Sequence, residues 1–217
     1  MEEEIIKKTE KFIKNKLYGE GSGHDWWHTY RVWQIVKKIG KEEGVDLFVV
    51  QLAALLHDVA DWKFQDGGDD SVGAIIAKEW LEKFNVNPKT ISHICKIIVE
   101  ISFKGAGVKD KVSSIEGKVV QDADRLDAIG AIGIARCFAY GGSKKRQIYD
   151  PTVKLKIHKS FKQYKKGDSP SINHFYEKLL SLKDRMNTKT GKRIAERKHK
   201  FMEQYLDRFF KEWEGKA

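Results

Sequence analysis

The stretch LAALLHDVADW, residues Leu52–Trp62, changes character in its second half. Its first five residues continue the apolar stripe of a helix, and the polar groups His57, Asp58 and, one turn later, Asp61 then follow. An unpaired charge at the end of a buried helix is costly to remove from water. We therefore expect a compensating partner for these side chains.

Helical spacing of apolar residues extends from this stretch along almost the whole chain, and the sequence lacks convincing strand-like alternation. The pattern predicts an all-α helical bundle of about nine helices in one domain spanning residues 1–217. Small residues, Gly130 and Gly133 among them, are expected to let the sixth helix pack closely at the centre. The helices are predicted at about residues 2–17, 25–41, 46–61, 71–84, 87–103, 115–139, 151–165, 171–186 and 189–213.

The net charge of +10 lies in the C-terminal third of the chain. Residues 141–217 contain 21 Lys and Arg against 9 Asp and Glu, whereas the whole chain contains 41 against 31. This basic part, beyond about residue 141, is expected to pack on the core as helices. Such asymmetry attracts nucleic acid, an acidic membrane or a phosphorylated small molecule, although a solvated helix surface without a specific partner is an equal alternative.

Several classes of protein are disfavoured by the same sequence. The N-terminus is charged from its second residue, and the longest uncharged apolar stretch, Leu47–Leu56, is far shorter than the roughly 20 residues that span a bilayer. We expect a cytoplasmic protein without a membrane partner. Cys95 and Cys137 lack CxxC spacing, which favours reduced, buried thiols. Without a zinc-finger or RNA-recognition motif, nucleic acid is not the expected partner, and the six Trp would suit a homodimer.

Polar residues interrupt the buried stripes of three predicted core helices, at His28, at His57 with Asp58, and at Asp124. Taken singly, each has an ordinary explanation as a hydrogen-bonded core histidine, a cap or an ion-paired carboxylate. Two imidazoles and two carboxylates inside one bundle instead match the ligand preferences of a divalent ion such as Mn, Co, Ni, Fe, Zn or Mg. The combination predicts a divalent metal as cofactor.

These residues also carry a resemblance to the HD-domain metal-dependent phosphohydrolases. The signature of that family is a His, a His-Asp doublet and a distant Asp, matched here in HDWWHTYRV, LLHDVADW and QDADRLDAIG. The segments GHDWWHTYRV and QDADRLDAIGAIGIAR are similar to sequences of one small bacterial branch of the family. The resemblance implies one metal held by His28, His57, Asp58 and Asp124. It also implies hydrolysis of a phosphoester or phosphoanhydride, with nucleotides as the usual substrates.

Residues beside these ligands suit such chemistry. Asp61 lies one turn after Asp58 and is predicted to act as the general base toward water, with an ion pair to Lys63 as the alternative. Lys104 in SFKGAG and Arg125 beside Asp124 are predicted to offset charge on a reacting phosphate. Further predicted phosphate-binding residues, which could equally be solvated surface, are Arg31, Lys183 and Arg185, with Lys104 in a second role.

Other readings of the same residues stay open. His24 and Asp25 either orient His28 or only cap its helix. His93 is a candidate ligand for a second metal, but its apolar neighbours favour an ordinary helix residue. The HD hydrolases of guanosine tetraphosphate carry a Glu-Asp pair after the His-Asp doublet, whereas this chain has Asp61 followed by Trp62. This difference argues against guanosine tetraphosphate as the substrate. The alternative function is a non-catalytic domain that binds a nucleotide or nucleic acid through its basic C-terminal region.

Overall fold

A computed structural model of the chain describes residues 1–19, 25–60, 71–101, 112–155 and 169–216. This part contains α-helices, one 3-10 helix and no strand, so the predicted all-α class is confirmed. None of its helices has the length and apolar character needed to cross a membrane. Within the described ranges the nine α-helices are α1 Glu2–Leu17, α2 Trp26–Glu43, α3 Leu47–Leu56, α4 Ser71–Glu82, α5 Pro88–Glu100, α6 Ile115–Asp127, α7 Gly130–Ser143, α8 Ser171–Glu177 and α9 Lys189–Trp213, and the 3-10 helix is Leu179–Arg185.

The described chain divides into two compact units. The first holds α1 to α5 and α6 as far as Asp124, and the second holds the residues from Arg125 onward. Whether the chain is a single domain, with its basic C-terminal part packed on the core, stays a prediction.

Helix α3 is the core element of the first unit. It packs against α1, α2 and α5, and every residue from Leu52 to Leu56 is fully buried. Asp46 caps the helix, since its carboxylate accepts hydrogen bonds from the backbone N–H groups of Phe48 and Val49. An apolar helix surrounded in this way fixes the position of the residues that follow its last turn, which begin with His57 and Asp58.

Several predicted helices end earlier than expected. The third helix was expected to reach Asp61, but α3 ends at Leu56 and residues 57–60 form turns. The fourth and fifth were expected to reach Phe84 and Phe103, but α4 ends at Glu82 and α5 at Glu100. The N-cap Asn87 with Pro88 at the start of α5 agrees with the sequence.

The prediction of one helix over residues 115–139 is wrong, because the chain breaks between α6 and α7. Gly130 has φ +76°, a left-handed conformation that favours glycine, and a Cβ built on Gly133 would lie 2.2 Å from the carbonyl oxygen of Ala128. The two glycines therefore allow the chain to leave the first helix and begin the second here. Gly130 also allows the close packing that its small size suggested, because a Cβ there would lie 3.0 Å from Cγ of Lys198 in α9.

In the second unit, α7 packs against α8 and α9, and the 3-10 helix packs against α8 and α9. The predicted helix over residues 171–186 is divided, since Lys178 leaves helical geometry and a 3-10 helix follows. Its buried Leu179 and Leu182 are three residues apart, the repeat of a 3-10 helix. Residues 151–155 are not helical, and the rest of the predicted helix at 151–165 lies outside the described residues. Helix α9 has the predicted bounds.

Candidate metal centre

His28 lies in the first turn of α2 and is fully buried. The carboxylate of Asp25 accepts a hydrogen bond from the backbone N–H of His28 at 2.8 Å and caps the helix. The capping role expected of Asp25 is thus confirmed. The buried residues Val32, Val36 and Ile39 follow His28 along α2, so the imidazole occupies a position that an apolar side chain would otherwise fill.

His57 and Asp58 follow the last residue of α3. The Nδ1 atom of His57 lies 2.7 Å from the backbone carbonyl oxygen of Ala54 and donates to it. A neutral imidazole with its proton on Nδ1 has a lone pair on Nε2. The carbonyl of Ala54 therefore fixes the tautomer of His57 in which Nε2 is available as a ligand.

Four atoms that could bind a metal ion lie close together at this site. His28 Nε2 lies 3.3 Å from His57 Nε2, 3.3 Å from Asp58 Oδ2 and 3.4 Å from Asp124 Oδ1. His57 Nε2 and Asp58 Oδ2 are also 3.3 Å apart. The side chain of Asp124 is one-third exposed, at 33%, which leaves one side of this group open to solvent. The structure thus brings together the four side chains that the sequence predicts as ligands, and their role as ligands stays a prediction.

The pKa values reflect mutual stabilisation within this group. Burial by itself lowers the pKa of His57, but the charge and hydrogen bond of Asp58 and the charge of Asp124 outweigh burial and raise it above its usual value. Burial by itself raises the pKa of Asp124, but the hydrogen bond and charge of His28, together with the charge of His57, hold it well below its usual range. The carboxylates of Asp58 and Asp124 therefore favour a positive charge at this site.

A divalent cation fits this arrangement. His28 Nε2 carries at most one proton, so it cannot donate separate hydrogen bonds to three neighbours at 3.3–3.4 Å. The potential ligand atoms of His28, His57 and Asp58 all lie within 4.8 Å of one another. Two imidazole nitrogens and carboxylate oxygens suit Mn, Fe, Co, Ni or Zn.

The other predicted site residues are placed differently. Asp61 and Lys104 lie outside the described residues. Arg125 is 5% exposed, and its guanidinium donates to the backbone carbonyl of Arg185. Arg31 is half-buried on α2. Lys183 and Arg185 are half-buried in the 3-10 helix of the second unit.

His93, the candidate for a second metal, has an acidic partner instead. Its Nε2 lies 3.3 Å from Glu116 Oε2, and both side chains are partly exposed, at 32% and 19%. Sequence reasoning did not identify Glu116, because its pairing with His93 joins α5 to α6. It also missed the carbonyl of Ala54, although a backbone carbonyl three residues before a helix-terminal histidine is a partner that spacing alone could have suggested.

Comparison with known proteins agrees with this geometry. The family model described as HD domain matches residues 26–129, a range that contains all four donor side chains. The chain is 41% identical over 206 residues to the uncharacterized protein YpgQ of Bacillus subtilis, covering 94% of this chain and 91% of YpgQ.

Solved structures are similar over nearly the full length. A crystal structure of an HD-superfamily hydrolase from Bacillus thuringiensis is 44% identical, covers 99% of both chains and has a TM-score of 0.78. The structure of Bacillus subtilis YpgQ in complex with ADP covers 97% of this chain and 96% of that one, with 36% identity and a TM-score of 0.78. The chain therefore belongs to the HD-domain superfamily and has the fold of its hydrolases.

Proposed function

We propose that the protein is a divalent-metal-dependent phosphohydrolase that cleaves a phosphoester or phosphoanhydride of a nucleotide or a similar small phosphate. The convergence of His28 Nε2, His57 Nε2, Asp58 Oδ2 and Asp124 Oδ1 carries the proposal. These four side chains would hold the metal. A bound divalent ion would supply a Lewis acid that activates water and polarises a phosphoryl oxygen.

The remaining roles belong to the chain itself. Ala54 and Asp25 position the two imidazoles through backbone contacts. Asp61, three residues after Asp58 in the sequence, is proposed to accept the proton of the attacking water. Lys104 is proposed to offset charge on the phosphate, as is Arg125, although the contact of Arg125 with Arg185 also gives it a structural role. Arg31, Lys183 and Arg185 are proposed to bind the substrate.

The relative YpgQ supports a nucleotide as the substrate class. Its structure in complex with ADP is 36% identical to this chain and covers nearly all of it. Because the two chains share the fold, a nucleoside diphosphate is a reasonable first ligand for this one.

The alternative, a domain that binds nucleic acid through basic surface, receives less support. Three cationic side chains of the second unit have partners within the protein. Arg125 donates to the carbonyl of Arg185, Arg136 pairs with Asp127 at 2.7 Å, and Lys198 donates to the carbonyl of Leu126. Of these three, Lys198 lies in the basic region beyond residue 141, so this cation of the region has a partner within the fold.

Metal content tests the proposed centre. Purified chain would be stripped with chelator, reloaded with Mn²⁺, Co²⁺, Ni²⁺ or Zn²⁺, and assayed for bound metal. We expect about one equivalent for the wild type and a large loss in Asp58→Asn, because four protein ligands suit one ion. Asp207→Asn is the matched control, since Asp207 is exposed and pairs with Lys211 on the surface of α9. Wild-type protein that binds no ion would contradict the proposal.

Turnover tests the reaction. Metal-loaded protein would be assayed on nucleoside mono-, di- and triphosphates, with phosphate and pyrophosphate measured separately. We expect hydrolysis that disappears in Asp58→Asn and persists in Asp207→Asn. Asp61→Asn should retain metal and lose at least about a hundredfold in rate, as for removal of a general base. Unchanged turnover in that variant would assign the proton transfer to another group.

A further inference from the structure

Two exposed aromatic side chains lie in the first two turns of α2, the helix that carries His28. Trp27, which precedes His28 in the chain, is 50% exposed, and Tyr30 is 37% exposed. Their ring centres are 5.9 Å apart in an edge-to-face arrangement, with an interplanar angle of 80°. Large aromatic rings that stay partly in water next to one another are typical of surfaces that bind a ligand or a partner.

A buried indole holds this pair in place. Trp26 is 2% exposed, and its ring centre lies 5.9 Å from that of Tyr30 and 6.5 Å from that of Trp27. Trp33, the next aromatic residue along the helix, is half-buried, and the ammonium of Lys37 lies over its ring at 4.3 Å from the ring centre. One face of Trp33 is therefore covered by a cation of the protein itself, so Trp27 and Tyr30 are the better candidates for contact with a ligand.

The positions of these residues around α2 follow a definite order. Successive residues of an α-helix are separated by about 100° around its axis. Counted from His28, Arg31 lies about 60° away, Trp27 about 100° and Tyr30 about 160°, all in the same direction around the helix. The order is therefore metal-site histidine, cation, indole and phenol. A nucleotide held by its reacting phosphate at the metal has its groups in the same order, with the other phosphates and the sugar between that phosphate and the base.

We infer that the exposed face of Trp27, supported at its edge by Tyr30, is the surface on which the base of a nucleotide stacks. The inference rests on the proposed function and adds the part of the substrate that lies away from the metal. Every base has a flat π face, so stacking on an indole does not depend on which base is present. This surface therefore selects nucleotides over phosphates that lack a base, and it accepts purines and pyrimidines alike.

Calorimetric titration of the Mn²⁺-loaded full chain with ADP, CDP and inorganic pyrophosphate tests the inference. We expect Trp27→Ala to weaken the binding of ADP and of CDP at least about fivefold, because a base–aromatic stack is lost. The affinity for pyrophosphate should stay that of the wild type, since pyrophosphate has no base. Trp27→Phe keeps an aromatic face and should restore most of the affinity for both nucleotides.

Trp213→Ala is the matched control, because Trp213 is exposed to a similar extent, at 53%, but lies at the end of α9 in the second unit. It should bind all three ligands as the wild type does. Unchanged nucleotide affinity in Trp27→Ala, or an equal loss for pyrophosphate, would overturn the inference and leave the proposed function intact. Binding of neither ADP nor pyrophosphate by the wild type would instead contradict the proposed function, and the inference would fall with it.

Discussion

The side-chain ammonium of Lys198 in α9 donates a hydrogen bond to the backbone carbonyl of Leu126 at 2.5 Å and lies 3.4 Å from that of Ile129. Both carbonyls belong to the break between α6 and α7, where the helical hydrogen-bond pattern stops. The stem of Lys198 also packs over Gly130, since a Cβ there would lie 3.0 Å from Lys198 Cγ. One lysine thus satisfies the carbonyls that the break exposes.

Lys198→Met should destabilise the protein. Methionine keeps most of the apolar stem but removes the ammonium donor, which leaves the carbonyl of Leu126 with only a 3.4 Å hydrogen bond from the N–H of Ile129. We expect a loss of about 1–3 kcal/mol in the free energy of unfolding. Urea denaturation measures it. Lys200→Met is the control, because Lys200 is exposed on the same helix and its replacement should change the free energy by less than about 0.5 kcal/mol. Equal effects of the two substitutions would contradict the role given to Lys198.

Gly133 and Gly142 form a second matched pair, both within α7. A Cβ on Gly133 would lie 2.2 Å from the backbone carbonyl oxygen of Ala128, whereas a Cβ on Gly142 meets nothing within 4 Å. Gly133→Ala should therefore destabilise the protein, because backbone must move. Gly142→Ala should stabilise it by up to about 1 kcal/mol through helix propensity. Thermal or urea unfolding distinguishes the two, and a stable Gly133→Ala would show that the chain relaxes at the break.

The sequence predicted the convergence of the four polar side chains better than it predicted the break between α6 and α7. His28, His57, Asp58 and Asp124 stand out because each interrupts an apolar stripe, and a helical bundle brings its stripes together. The break depends on Gly130 and Gly133, whose small size suits close packing and a turn equally well. The choice between close packing and a turn depends on the hydrogen-bond donor Lys198. This residue lies about seventy residues later, and no local sequence pattern connects it to the break.

The division of the predicted helix over residues 171–186 has a similar origin. Leu179 and Leu182 are buried at a spacing of three, which fits an α-helix and a 3-10 helix equally well in the sequence. Packing of the segment against α8 and α9 selects the tighter form. In contrast, Asn87 with Pro88 could be assigned from two adjacent residues, because both the cap and the proline act locally.

The thiol of Cys137 should react slowly with iodoacetamide. Burial raises its pKa to about 12, so in native protein near pH 8 almost none of it is the reactive thiolate. We expect mass spectrometry to show slow alkylation in native protein and rapid alkylation in urea. The raised pKa stabilises the fold below the unfolded thiol pKa, and that contribution declines as the pH rises above it. Rapid native alkylation at Cys137 would contradict this assignment.

Metal affinity should fall as the pH is lowered, and the decline should begin above pH 6.5, the usual pKa of histidine. The neighbouring Asp58 and Asp124 raise the pKa of His57 in the metal-free protein against the effect of burial, so a proton competes for Nε2 at a higher pH than at an ordinary imidazole. Asp124 has a lowered pKa and stays ionised over the same range.

As the pH rises, the stability of the metal-free protein and that of the metal-loaded protein should therefore change in opposite directions. Without metal, the stabilisation of charged His57 is fully present below its unfolded pKa and is lost as the pH rises through its raised folded pKa. With metal at fixed concentration, stability increases over the same interval, because binding to the folded state strengthens as the proton leaves. Thermal unfolding of stripped and Mn²⁺-loaded protein between about pH 5.5 and 8 measures both trends. Parallel curves would mean that His57 does not hold the ion.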